Sequence, residues 1–171
     1  MVMPRPLRWV LALVLAGGLL LGGAFLLPFS EWLPGGTVGD VPLQQVVNGS
    51  TFNQLFPASD PAFRVTMSQE KRGFSEARLK QGDQLIALLA ISDTITAPEA
   101  LAKFEQAREQ LKGWPLVEQG PHASALLVAD RFQVKVIEQG NSLDAAHRHD
   151  VLEEFDLQGL ASLATPVLPR S

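Results

Sequence analysis

Hydrophobic positions along this chain fall into two different patterns. From Trp9 to Ser30 they run almost without interruption and include no charged side chain. These 22 residues make roughly 33 Å of helix, enough to cross a hydrocarbon core of about 30 Å. Arg5 and Arg8 precede the run, and Glu31 and Asp40 come after it. Positive charge is retained on the cytoplasmic side, which orients the N-terminus inside and Glu31 onward outside. The competing reading is a cleaved signal peptide. Arg5 and Arg8 are then its charged region, Trp9 to Leu21 its apolar core and Gly22-Gly23-Ala24 its small-residue cleavage site. Phe25, Leu26, Leu27 and Phe29 continue the run past that site and favour the anchor. Either way, the chain from Glu31 onward lies outside the cytoplasm.

After Glu31 the apolar residues become periodic. Residues 31–47 hold Pro34-Gly35-Gly36, Gly39 and Pro42 and read as a linker. Phe52, Leu55 and Phe56 suit a short helical turn capped by Ser50 and stopped by Pro57. Phe63, Val65 and Met67 alternate with polar residues, as in a half-buried strand. A second strand over 75–80 has Ala77 and Leu79 on one face, and Gln81-Gly82-Asp83 is a tight turn. Residues 84–91 are apolar on both faces, as in a central strand.

Thr96-Ala97-Pro98-Glu99 reads as a capping box opening a helix that Gly113 ends, with Ala100, Leu101, Phe104, Ala107 and Leu111 on its stripe. Strands are predicted over 114–118, 123–128 and 132–136, with Ala129-Asp130-Arg131 as a hairpin turn. A last helix from Leu143 or Asp144 to Phe155, with Ser142 as its cap, buries Val151, Leu152 and Phe155. Leu157, Leu160 and Leu163 then dock the chain end.

The element order is therefore β-β-β-α-β-β-β-α. It predicts an α+β fold with a mostly antiparallel sheet and helices packed on one face, preceded by one N-terminal transmembrane helix. The divisions are a cytoplasmic N-terminus (1–8), an anchor or signal peptide (9–30), a linker (31–47), an extracytoplasmic domain (48–164) and a tail (165–171).

Charge and composition narrow the chemistry. Of 14 Lys and Arg, two precede the apolar run; the other 12 face 18 Asp and Glu, so the module carries about −6. That argues against nucleic acid as a partner, which needs a cationic surface. The chain has no cysteine, hence no disulfide, no thiolate metal site, no thiol nucleophile and no lipid-modified cysteine.

His147 and His149 stand two apart, about 200° around a helix, and cannot face one metal. His149 and Glu153 share a face, but the sequence shows no third ligand. Ser92-Asp93-Thr94 reads as strand-end and turn chemistry. No Gly-x-Ser-x-Gly, dinucleotide or phosphate-loop motif is present. No catalytic, cofactor-binding or metal-binding residue is assigned, and no cofactor is expected. Arg64, Arg72, Arg78 and Lys80 cluster on the first hairpin as a docking patch for an acidic partner.

Phe52-Asn-Gln-Leu-Phe-Pro57, Gly73-Phe-Ser-Glu-Ala77, Ala90-Ile-Ser-Asp-Thr94, Asp130-Arg-Phe-Gln-Val-Lys135 and Phe155-Asp-Leu-Gln-Gly-Leu160 together resemble small membrane-anchored or lipid-anchored proteins of cyanobacteria. The resemblance runs from about Val46 to Leu163 and carries over no site residues. It implies the periplasm or the thylakoid lumen as the compartment. The expected function is a membrane-tethered, non-catalytic module that binds or scaffolds another membrane or luminal protein, with the lipid bilayer as its first partner. The alternative is a small hydrolase or ligand-binding domain whose site gathers scattered residues such as His122, Asp93 and Arg131.

Overall fold

The computed structural model describes residues 45–164. The N-terminus, the predicted anchor or signal peptide (9–30), the predicted linker up to residue 44 and the predicted tail from residue 165 lie outside the described residues. Among the described residues no helix is long and apolar enough to cross a membrane.

Among these residues seven strands form one sheet in which every pair is antiparallel. They are β1 (Arg64–Lys71), β2 (Phe74–Gln81), β3 (Gln84–Asp93), β4 (Glu109–Leu111), β5 (Trp114–Glu118), β6 (Ala123–Val128) and β7 (Phe132–Glu138). The spatial order is β1-β2-β3-β7-β6-β5-β4: two meanders meet where β3 pairs with β7, Ala87 opposite Glu138 and Asp93 opposite Phe132. The α-helices are α1 (Gly49–Phe52), α2 (Ala145–Glu153) and α3 (Leu157–Ser162).

Pleating sends alternate residues to opposite faces. Ala77 and Leu79 of β2, Ala87, Leu89 and Ile91 of β3, Leu126 and Val128 of β6, and Phe132, Val134 and Val136 of β7 form the main core with these helices. Phe52 of α1 meets Phe132 edge-on, ring centres 5.8 Å apart at 75°. Phe56 packs on Phe155 at 5.3 Å. Asn48, not Ser50, caps α1, accepting from the Ser50 N–H. Asp144, not Ser142, caps α2, accepting from the His147 N–H. The fold reaches back into the predicted linker: Val46 is buried, and the Gly73 N–H donates to the Val47 carbonyl at 2.7 Å.

The predicted helix over 97–112 does not form. The chain makes a 3₁₀ turn over Thr94–Thr96, a 3₁₀ helix over Pro98–Phe104, and then β4. The capping box fails for a local reason. Thr96 belongs to the preceding 3₁₀ turn, where its hydroxyl donates back to the Asp93 carbonyl at 2.9 Å, and no side chain caps the Pro98–Phe104 helix. Ala97 sits at φ −150°, ψ 66°, which is not helical. Leu101 and Phe104, three apart, fit three residues per turn.

Gly113 ends no helix. Lys112 (φ 52°) and Gly113 (φ 85°) form a two-residue hairpin between β4 and β5. The second half of the fold therefore has four strands rather than three. The helices also do not share one face: Phe104 and Leu101 cover Ala125 and Leu127, on the side of β6 opposite Leu126 and Val128.

The sheet edges are blunted. On β1, Ser59 accepts from the Val65 N–H at 2.9 Å and donates to the Val65 carbonyl, occupying outward-facing backbone groups. The other edge, β4, is three residues long.

Candidate functional site

Polar side chains gather at the two ends of β7. At its start, Arg131 donates through Nε and a terminal nitrogen to the two oxygens of Asp93, at 3.0 and 2.8 Å. The same carboxylate accepts from the Val47 and Ile95 N–H groups, and Arg131 also donates to the Gln45 carbonyl at 2.7 Å. Asp93 is fully buried. Its hydrogen-bonding capacity is spent joining the 45–47 segment, the end of β3 and the β6–β7 turn. This is a clasp, and it agrees with the strand-end reading of Ser92-Asp93-Thr94.

At the far end of β7, Glu138 accepts from His122 Nδ1 and, through its other oxygen, from the Ser142 N–H at 2.9 Å. The structure thus brings Asp93 and Arg131 together and leaves His122 at the opposite end of the strand. Beside His122, α2 points Arg148 inward. Arg148 is buried and donates to Ser124 Oγ (2.8 Å), Glu118 Oε2 (2.8 Å) and the carbonyls of Pro121 (3.1 Å) and Leu143 (3.2 Å). Glu118 also accepts from Ser124 Oγ and from His149 Nε2, the latter at 2.6 Å. Partial burial pushes the Glu118 carboxyl up, but the hydrogen bonds from His149, Arg148 and Ser124 outweigh it and hold the group below the usual glutamate range.

Ser124 is fully buried and its proton is committed to Glu118, so it presents no nucleophile to a substrate. A hollow of about 550 Å³ opens beside this network, lined by Glu118, His122, Glu138, Asn141, Asp144 and Arg148 among others.

Arg148, Glu118, Ser124 and Glu138 were not legible as a cluster in the sequence, which presents Asp-Ala-Ala-His-Arg-His-Asp as a solvated helix face. The available signal was spacing. Arg148 lies four residues before Leu152 and seven before Phe155, on the stripe that α2 buries. Three other ionic residues of α2 go separate ways: His147 pairs with Asp144 at 2.8 Å, His149 with Glu118, and Glu153 with Lys112 at 2.8 Å. His149 and Glu153 are thus drawn to different partners. Among the described residues no three His, Asp or Glu side chains gather as a metal site.

A second concavity lies between α2 and the start of β1. This groove, about 310 Å³, has an apolar floor that includes Val65, Leu79, Ile86, Leu143 and Val151. Asp60, His147, Asp150 and Glu154 supply its polar lining. Asp60 also folds the 57–63 loop, accepting from the Ala62 and Phe63 N–H groups at 2.7 Å each. Phe63 borders the groove at 36% exposure. Met67, two positions beyond Val65 on the same face of the edge strand, is 37% exposed.

The predicted docking patch divides. Register sets Arg64 beside Lys80 and Thr66 beside Arg78, so Arg64, Arg78 and Lys80 share the face opposite the main core, together with Glu76. Arg72 lies in the β1–β2 turn and reaches the Val46 carbonyl at 3.5 Å. Lys135 is on the same sheet face as Arg78 and is buried, opposite Ala90 on β3. Burial, reinforced by the Lys103 charge, pulls its ammonium down to about 6.

No family model, curated protein or solved structure matches the chain. Function must therefore be argued from the geometry of the site itself.

Proposed function

We propose that this chain is a membrane-tethered, non-catalytic module held outside the cytoplasm, which binds or scaffolds another membrane or luminal protein. The observation that carries this reading is the apolar groove between α2 and the 57–63 loop, continued along the edge strand by exposed Phe63 and Met67. Large apolar side chains left at a surface beside a preformed concavity are the usual mark of an interaction site. The buried polar clusters favour the same reading. Asp93 with Arg131, and Ser124 with Glu118 and Arg148, use their hydrogen bonds internally. The uncleaved run from Trp9 to Ser30 supplies the tether, and the periplasm or the thylakoid lumen is the compartment.

The test uses the full-length chain in intact membranes. A tag after residue 171 should resist protease until the membrane is opened. A photo-crosslinker at residue 63 should give one discrete protein adduct, and the same crosslinker at exposed Asp83 should not. A tag digested from the cytoplasmic side, or no adduct from residue 63, refutes the proposal.

One observation favours a ligand-binding alternative. The buried Glu138 carboxylate orients His122, whose side chain is 56% exposed and borders the 550 Å³ hollow. A carboxylate that fixes one ring nitrogen leaves the other to meet a ligand. Replacing His122 with Ala while the residue-63 adduct persists separates the two readings.

A further inference from the structure

From the groove's electrostatics we infer that it takes a peptide segment in which two or three apolar side chains are flanked by Lys or Arg. This rests on the binding role proposed above and names the chemistry of the partner. The floor is aliphatic, built by Val65, Leu79, Ile86, Leu143 and Val151. The polar lining is three acids and one histidine: Asp60 on the loop, Asp150 on α2, Glu154 at that helix's C-cap, and His147, whose ring nitrogen is held by Asp144. Among the described residues Asp60, Asp150 and Glu154 hold no ion pair within 4 Å; Lys112, bound to neighbouring Glu153, also feels the Glu154 charge, and Asp144 is bound to His147.

An apolar group that enters the groove strips water from these carboxylates. Flanking cations replace that water, while an acidic segment adds like-charge repulsion, so the rim selects by sign. At about 310 Å³ the groove lies at the small end of ligand sites, which suits a few side chains rather than a lipid tail or a cofactor. Exposed Phe63 and Met67 extend the apolar surface along β1, as an extended partner requires.

The probe is a fluorescent peptide of leucines flanked by lysines, titrated by anisotropy against the full-length protein in detergent. A matched peptide with glutamate in place of lysine is the comparison. The expected result is saturable binding of the lysine peptide alone. The affinity should weaken about tenfold in Asp150→Asn/Glu154→Gln, since each rim charge contributes a few-fold. It should also weaken in Phe63→Ser, a surface change that leaves the core intact. Asp83→Asn/Glu105→Gln, which removes the same charge elsewhere, should leave it unchanged.

Equal binding of both peptides, or equal weakening by the distant pair, overturns the inference. If neither peptide binds but the residue-63 adduct still forms in membranes, the partner segment is not cationic and the binding role stands. If the adduct is also missing, both fall. Two further outcomes also overturn it. One is tighter peptide binding by a chain ending at Ala164, which makes the tail the occupant. The other is a dimer dissociated by Phe63→Ser, which makes a second copy the occupant.

Discussion

Replacing Arg148 with Met keeps most of the aliphatic stem and removes the guanidinium from the interior of α2. Four hydrogen bonds go with it: those to Ser124 Oγ, Glu118 Oε2 and the carbonyls of Pro121 and Leu143. The two carbonyls are partly buried, and each loses its donor at about 1 kcal/mol, the low end for an unsatisfied group. Glu118 keeps His149 and Ser124 and stays about a third exposed, so losing its arginine costs less than the 3–5 kcal/mol typical of a fully buried broken pair. About 1–2 kcal/mol is reasonable there, giving about 3–4 kcal/mol in all. With a urea slope of about 1.5 kcal/mol/M for a domain of this size, the midpoint should fall by about 2 M. The assay is urea unfolding of the full chain in detergent, monitored by circular dichroism. Adding Glu118→Gln should cost less in the Arg148→Met background than in the parent, because the two groups are coupled. A midpoint shift below about 0.5 M, or strict additivity of the two changes, refutes a structural role for this network.

Gly49 is the described glycine that backbone atoms crowd most closely. A Cβ there would lie 2.3 Å from the Lys71 carbonyl oxygen and 2.4 Å from that of Phe74. Because these are backbone atoms that cannot step aside, Gly49→Ala should destabilise the fold by about 2 kcal/mol or more in the same urea assay. Lys135 has its pKa lowered to about 6, so the native state binds fewer protons than the unfolded chain, and stability rises with pH between about 6 and about 10. Lys135→Met should remove up to about 1.4 kcal/mol per pH unit of that slope, and its advantage over the parent should grow as pH falls toward 6. For Glu118 the sign is reversed. Its depressed carboxyl contributes stability that is fully present above the unfolded glutamate value of about 4.3 and is lost as pH falls through the folded value. Glu118→Gln should flatten the acid limb of a stability-versus-pH curve below about pH 5.

The strands were legible because their alternation is dictated by one buried face. Phe132, Val134 and Val136 can only face the helices if Gln133 and Lys135 face away. Residues 84–91 read as central because both faces of β3 are covered. The 94–113 stretch misled because its signals have two meanings. A Thr three residues before a Glu reads as a capping box, but Thr96 closes a turn onto the Asp93 carbonyl instead, and a glycine after a charged stripe reads as a helix end when it is half of a hairpin turn. Arg148 stayed hidden because a charged residue on a helix is normally solvated, and its partners Glu118 and Ser124 come from strands up to 30 residues away. The groove was invisible for a similar reason: Val65, Ile86 and Val151 share a wall only through the tertiary fold.

The clasp at the start of β7 has a mechanical consequence. Tension drawn through residue 45 from the N-terminal side meets three links at once: Arg131 on the Gln45 carbonyl, Asp93 on the Val47 amide, and Gly73 on the Val47 carbonyl. Two of these anchor in β3 and the turn before β7, the middle of the sheet rather than its rim. A pull is thus shared by the most enclosed strands before it reaches α1. The domain should resist being unzipped from its N-terminal side, and the groove beside α2 should keep its shape under load.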